Sequence, residues 1–60
     1  MKTQLGNLYF GDYFKFDGKI YRSGNLIRGT DGYLACVDTE THKVTRFHVD
    51  TMVKFVRGGL

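Results

Sequence analysis

Alternating apolar and polar residues between Gly11 and Ser23 predict a β-hairpin centred on Asp17-Gly18. An Asp-Gly pair supplies the two positive-φ positions of a type I′ turn, whose twist matches that of the flanking strands. A two-residue turn also sets the register, which pairs Phe16 with Lys19, Phe14 with Tyr21, Lys15 with Ile20 and Tyr13 with Arg22. One face of this hairpin, with Phe14, Phe16 and Tyr21, is therefore predicted to be core, and the other, with Tyr13, Lys15 and Arg22, to be aromatic and basic.

A second alternating pattern predicts another hairpin, formed by residues 33–38 and 43–49 around the turn Thr39-Glu40-Thr41-His42. Its register pairs Asp38 with Lys43, Val37 with Val44, Cys36 with Thr45, Ala35 with Arg46 and Leu34 with Phe47. The predicted core face carries Leu34, Cys36 and Phe47, and Val49 extends it. The opposite face carries Tyr33, Ala35, Val37, Val44, Arg46 and His48.

The rest of the chain predicts a short turn and a closing strand. Asp50-Thr51 interrupts the alternation, as in a 3₁₀ step, directly before the apolar run 52–56. Within this run, Val53 and Phe55 are predicted to face the core and Lys54 to face outward. Residues 1–9 are expected to form an irregular lead-in, residues 24–32 the longest loop, and residues 57–60 a flexible tail. Eight glycines and many β-branched or aromatic residues favour an all-β domain that spans residues 1–60.

Length, charge and cysteine content narrow the functional classes. A domain of 60 residues has little core to spare for a deep catalytic cleft. The net charge of +3 and pI near 9.3 favour anionic partners such as nucleic acid. A single cysteine, Cys36, excludes an internal disulfide and fits a reducing compartment. No apolar run is long enough to span a membrane, so we expect a cytoplasmic protein.

The order of these elements, five short strands with two hairpins and a brief turn before the last strand, resembles the SH3-like small β-barrel. The segments GDYFKFDGKIYR and VTRFHVDTMVKFV look like those of short, uncharacterised bacteriophage proteins of this barrel type. This resemblance implies a five-stranded antiparallel barrel. It also implies a phage accessory protein that works in the cytoplasm of a bacterial host and contacts a host component.

The segment Phe47–Val53 also resembles the second motif of Sm-like RNA-binding proteins, in which a histidine precedes a short turn and a final apolar strand. The first motif of that family is not evident in this chain. The partial resemblance implies a nucleotide-contacting role for His48 and, as an alternative, assembly into a ring.

Catalytic and metal-binding patterns are not recognisable in the sequence. Cys36 is the candidate nucleophile and His48 the candidate base, but the predicted register places them on opposite faces of the second hairpin. One cysteine and two histidines do not match structural zinc spacings, and the glycine-rich segments match no phosphate-binding fingerprint. We therefore expect a binding protein rather than an enzyme, with no cofactor, metal or small-molecule substrate.

The first functional hypothesis is a module that binds a host protein or associates with itself. Small barrels leave strand edges at which another chain can pair. The apolar residues that the predicted core does not need are the candidate contacts: Leu26 and Ile27 in the long loop, and Met52 and Val56 in the closing strand.

The alternative hypothesis is a nucleic-acid-binding module. Aromatic rings among cations suit single-stranded nucleic acid, because rings stack on bases while lysine and arginine neutralise phosphates. The candidate residues are Tyr13, Lys15 and Arg22 on the first hairpin, and Tyr33, Arg46 and His48 on the second.

Overall fold

The computed structural model of the protein describes residues 1–59. The last residue of the predicted tail, Leu60, lies outside these residues. In chain order, the elements are β1 (Lys2–Gln4), a 3₁₀ turn η1 (Leu5–Asn7), β2 (Tyr13–Phe16), β3 (Lys19–Arg22), β4 (Tyr33–Asp38), β5 (Val44–His48) and β6 (Met52–Arg57).

The six strands form one antiparallel sheet in the order β1-β6-β2-β3-β4-β5. The all-β prediction is confirmed, but the sheet has one strand more than the five that we predicted. The additional strand, β1, lies within the expected irregular lead-in, because its sequence Lys-Thr-Gln carries no apolar alternation to reveal it. In the part of the chain that the structure covers, the edge strands β1 and β5 do not pair, so the sheet is not closed into a barrel.

Both hairpins form in the predicted register. Asp17 (φ 52°) and Gly18 (φ 81°) occupy the left-handed region, as a type I′ turn requires. The pairs Tyr13–Arg22, Phe14–Tyr21, Lys15–Ile20 and Phe16–Lys19 are all present. In the second hairpin, Asp38 N–H donates to the Lys43 carbonyl at 2.9 Å, and the five pairs from Val37–Val44 to Tyr33–His48 follow.

An aromatic cluster forms the core on one side of the sheet, which we call the inner face. The ring of Phe47 packs edge-on against Tyr21 at 4.8 Å and against Phe14 at 5.6 Å, and Phe14 stacks on Tyr21 at 5.6 Å. Edge-to-face and offset contacts of this kind are the favourable ones for aromatic pairs. The other buried apolar residues are Leu5, Cys36 and Val53.

The 3₁₀ turn η1 curls the sheet around this core. Leu5 is fully buried, and its N–H donates to the Thr51 carbonyl at 2.8 Å. Gly6 N–H donates to the Val49 carbonyl at the same distance, directly after β5. The segment that follows one edge strand is thus hydrogen-bonded to the residues that follow the other edge strand, so the inner face is concave.

Two aromatic residues that we predicted to be in the core are only partly covered. Phe16 is 36% exposed near the tip of the first hairpin, although its ring still packs on Phe47 at 5.2 Å. Phe55 is 46% exposed. It aligns with Phe14, but β1 reaches only as far as Lys2, opposite Lys54, so no β1 residue pairs with Phe55 on that side.

Candidate functional site

Three lysines lie in one row across neighbouring strands, on the side of the sheet opposite the core. Lys2 in β1 pairs with Lys54 in β6, which pairs with Lys15 in β2. All three side chains are exposed. We call this side the outer face; it carries Lys2, Tyr13, Lys15, Arg22, Ala35, Val37, Arg46, His48, Lys54 and Arg57. Like charges directly opposite each other destabilise a sheet, so the row costs stability unless an anion lies against it.

Beside the lysine row, two arginines surround the ring of Tyr13. The guanidinium carbon of Arg57 lies 4.2 Å from the ring centroid and that of Arg22 lies 5.9 Å from it. Both residues pair with Tyr13 across the sheet, from β6 and β3. A β-bulge between Tyr13 and Phe14 brings Arg57 opposite the ring. Cation–π attraction holds the two guanidinium groups together despite their like charge.

The acidic residues lie at the margins of this surface, where Asp17 lines a depression with Lys2 and Lys15 and Asp12 lies in the turn before Tyr13. Asp38 is the only carboxylate within any strand of residues 1–59. It is the last residue of β4 and is buried on the inner face. The other five acidic residues lie in turns and connections. Among the described residues, no lysine or arginine nitrogen lies within 4.0 Å of a carboxylate oxygen. The cations of the outer face are therefore free to meet an external anion.

Two shallow depressions adjoin each other on the outer face and share Arg22 and Val37. The first, of about 440 Å³, is lined by Tyr13, Arg22, Val37, Thr39, His42 and Arg57. The second, of about 280 Å³, is mainly apolar and is lined by Phe10, Arg22, Ser23, Gly24, Asn25, Ala35, Val37 and Val44. Together they place a cationic depression directly beside an apolar one.

The exposed ring of Phe10 stands at the rim of the apolar depression, in the turn that leads into β2. Asp12 N–H donates to the Tyr9 carbonyl at 3.0 Å, and the Asp12 carboxylate accepts the Tyr9 N–H at 2.9 Å. Gly11, at φ 89°, occupies the third position, as in a type II turn. Arg22 Nε donates to the Gly11 carbonyl at 3.4 Å. The turn thus fixes Phe10, 64% exposed, next to a guanidinium group.

The C-terminal segment packs on the same turn. Arg57 is the last residue of β6, and Gly59 N–H donates to the Asp12 carboxylate at 3.4 Å. A Cβ at residue 59 would overlap the Gly11 carbonyl, so the close approach requires glycine there. Residues 57–59, which the sequence predicts to be a flexible tail, support the Phe10 turn in the structure.

Of the six predicted nucleic-acid contacts, the structure brings Tyr13, Lys15 and Arg22 together in the centre of the outer face. Arg46 lies on the same face, opposite Ala35, but on the edge strand β5. Tyr33 and His48 form a separate pair at the far end of β4 and β5, with ring centroids 5.1 Å apart.

The ring of His48 is committed to local hydrogen bonds. Its Nδ1 accepts the Asp50 N–H at 3.1 Å, so its Nε2–H donates to the Asp31 carbonyl at 2.9 Å. These bonds place the ring proton on Nε2. His48 therefore braces the connection before β4 and the connection after β5, and its ring nitrogens are not directed at a ligand.

The four predicted protein contacts do not form one patch. Leu26 is 60% exposed and bridges to Leu34 of β4. Ile27 is half-buried, and its N–H donates to the Tyr33 carbonyl at 2.7 Å. Met52 and Val56, 47% and 41% exposed, lie on β6. Three steps of the sheet order, about 14 Å at the usual strand spacing, separate β6 from β4.

The candidate nucleophile lies in the core. Cys36 is fully buried on the inner face, whereas His48 lies on the outer face. Burial raises the pKa of the Cys36 thiol, against a smaller lowering by a hydrogen bond with the Gly24 backbone. Residues 1–59 hold no group of three side chains suited to binding a metal ion, and no helix there has the length and apolar character to cross a membrane.

Sequence reasoning missed Lys2, Lys54, Arg57 and Phe10 as members of this surface. Alternation does place Lys54 outward. The pairing of β6 between β1 and β2 is a long-range contact, however, and no local pattern reveals which strands become neighbours. For Phe10, the available signal is the sequence Tyr-Phe-Gly-Asp, an aromatic pair next to turn residues.

Comparison with known proteins gives no match: no protein-family model, no curated protein and no solved structure is significantly similar to the chain.

Proposed function

We propose that the protein is a non-enzymatic nucleic-acid-binding module that uses the outer face. The observation that carries this proposal is the row Lys2–Lys54–Lys15 beside the Arg57–Tyr13–Arg22 group, with no carboxylate among them. A row of like charges destabilises the free protein, and a polyanion placed against it removes that cost.

The spacing of these cations suits a polyphosphate chain better than a single small anion. Neighbouring strands lie about 4.8 Å apart, so the lysine row spans about 10 Å. The arginines occupy the next outward-facing row, one pleat repeat along β2. Five cations spread over two rows can contact several successive phosphates, as cationic grooves for nucleic acid do.

The proposal predicts binding that weakens steeply with salt. If the five cations each release a counterion from a single strand, affinity falls by about 100-fold between 50 and 200 mM salt. Fluorescence anisotropy with a labelled oligothymidylate of about 15 nucleotides measures this dependence. Replacement of two lysines of the row, in Lys15→Gln with Lys54→Gln, should lower the affinity at low salt and flatten the salt dependence.

A control variant of equal charge separates this site from general electrostatic attraction. Lys19 pairs with Phe16 and Lys43 with Asp38, so both lie towards the inner face. Lys19→Gln with Lys43→Gln should retain most of the affinity. Equal losses in the two double variants, or no binding of any DNA or RNA at low salt, would overturn the proposal.

A second candidate function is self-association through the open edge of β5. The Asp38–Lys43 hydrogen bond sets the alternation of the β4–β5 ladder, so the backbone N–H groups of Val44 and Arg46 point away from β4. The Val44 side chain is 66% exposed. A free strand edge with an exposed apolar residue is a template for pairing with another chain.

Sedimentation of the protein over a range of concentrations tests this second candidate. A dimer that forms through β5 should be lost in Val44→Pro, which removes the outward N–H, and kept in Val44→Thr, which retains it. A strict monomer at all concentrations, or a dimer that tolerates proline at residue 44, contradicts it.

We further propose that the curled sheet is a relative of the SH3-like small barrel and that the protein acts in the cytoplasm of a bacterium as a phage accessory protein. The bond from Gly6 to Val49, which brings the two sheet edges towards each other, supports the first point. The free thiol of Cys36 suits a reducing compartment. Contact with a host protein through Leu26, Ile27, Met52 and Val56 stays a prediction.

A further inference from the structure

The apolar depression lies beside the cations, and Arg22 is the only charged residue that lines it. Its lining includes Gly24, Ala35 and Val37, small or medium side chains that leave an open floor. A side chain at Gly24 is excluded, because its Cβ would overlap the Ala35 carbonyl. The floor is therefore apolar, shallow and directly adjacent to the Arg22 guanidinium.

Phe10 is the ring available to stack at this place. Leaving a phenylalanine 64% exposed forfeits the hydrophobic stabilisation that burial of its ring would give. The turn around Gly11 nevertheless holds the residue outward through the two Asp12–Tyr9 hydrogen bonds. Because the backbone at Phe10 is held by the turn, only the side chain loses conformational freedom when a ligand stacks on the ring.

Tyr13, which the sequence suggests as a stacking residue, is already engaged. The Arg57 guanidinium lies 4.2 Å from its ring centroid, so a base could occupy that ring face only by displacing the arginine. Tyr13 is thus a positioning residue for the arginines.

We propose that the outer face takes an unpaired polynucleotide, with one base stacked on Phe10 over the apolar depression and the adjoining phosphates on Arg22 and Arg57. This inference rests on the proposed function and names its ligand class. In a duplex the faces of the bases are covered by their neighbours, so only an unpaired base can place its face against Phe10. DNA and RNA share this chemistry, so strands of both belong in the test.

Anisotropy with matched ligands separates stacking from charge. The probes are oligothymidylate and oligouridylate of about 15 nucleotides, a strand of the same length without bases, and a duplex of that length. For the native protein, we expect the base-free strand and the duplex to bind about fivefold or more weakly than the thymidylate strand, since one stacked base contributes at least about 1 kcal/mol.

Substitutions at residue 10 complete the test. Phe10→Ala should weaken binding to the thymidylate strand by a similar factor and leave binding to the base-free strand unchanged, whereas Phe10→Trp should retain the preference. Tyr9→Ala is the matched control, because Tyr9 is 82% exposed on the same turn but does not line the depression.

The outcomes distinguish the two proposals. Equal, salt-dependent binding of the thymidylate and base-free strands, or tighter binding of the duplex, overturns stacking on Phe10 and leaves the cationic site standing. An acidic polypeptide of matched charge is a further probe. If it binds as tightly as the thymidylate strand, stacking on Phe10 is likewise overturned. Absence of binding to every polynucleotide at low salt overturns the proposed function and this inference together.

Discussion

At the scale of single residues, Asp38 shows how the fold accommodates a carboxylate in a cationic sheet. Its Oδ1 accepts the Glu40 N–H at 2.8 Å and the Thr41 N–H at 3.3 Å. These bonds organise the turn of the second hairpin. The Glu40 hydrogen bond, the largest cause, lowers the pKa of Asp38 below its ordinary value of 3.8. Thr41 and the charge of Lys19 act in the same direction, against a rise from burial.

This lowered pKa predicts loss of stability in acid. Because the unfolded chain binds the proton at a higher pH than the folded chain, the contribution of Asp38 is complete well above pH 3.8 and is lost as the pH falls through the folded-state pKa. We expect Asp38→Asn to be less stable than the native protein at neutral pH, with a difference that narrows as the pH falls below about 5. Urea unfolding of both proteins measures it; a difference independent of pH would contradict this assignment.

At the scale of elements, the sequence reveals contacts between residues that are close together in the chain, but not contacts between residues that are distant in it. The Asp17-Gly18 turn and the Thr39–His42 turn are local, so the registers of both hairpins follow from alternation and turn length. The position of β6 between β1 and β2 is set by contacts distant in the chain. For that reason Lys15 was recognised as a candidate contact, whereas its neighbour Lys54 was not.

The lysine row makes a prediction about stability at the same scale. Removal of the central charge in Lys54→Gln eliminates two cross-strand repulsions, so it should raise the free energy of unfolding by about 0.2–1 kcal/mol at low salt. The gain should shrink in high salt, which screens exposed charges. The same variant should bind oligonucleotide more weakly.

Chemical unfolding at low and high salt measures this effect, with Lys43→Gln, an exposed lysine outside the row, as the control. A substitution that raises stability while lowering binding indicates a residue retained for function at the expense of the fold. If Lys54→Gln destabilises the protein at low salt, the row is not repulsive and the central argument for an anionic partner fails.

At the scale of the whole molecule, the curled sheet separates an aromatic core from a cationic surface. Of nine lysines and arginines, only Arg28 and Lys43 lie outside the described strands, and six of the remaining seven lie on the outer face. The net charge of +3 alone did not reveal this arrangement. The fold concentrates the positive charge because alternation directs the strand lysines and arginines away from the core, while the turns hold the acidic residues.

The central claim is that the outer face is a nucleic-acid-binding surface, and NMR mapping of the backbone amides during titration with an unlabelled oligothymidylate tests it most directly. We predict that the amide signals of Lys2, Phe10, Lys15, Arg22, Lys54 and Arg57 shift together and saturate at one affinity, while those of Lys19, Leu34 and Phe47 on the inner face hardly move. Shifts concentrated on the inner face or along β5, or no shifts at low salt, would contradict the account.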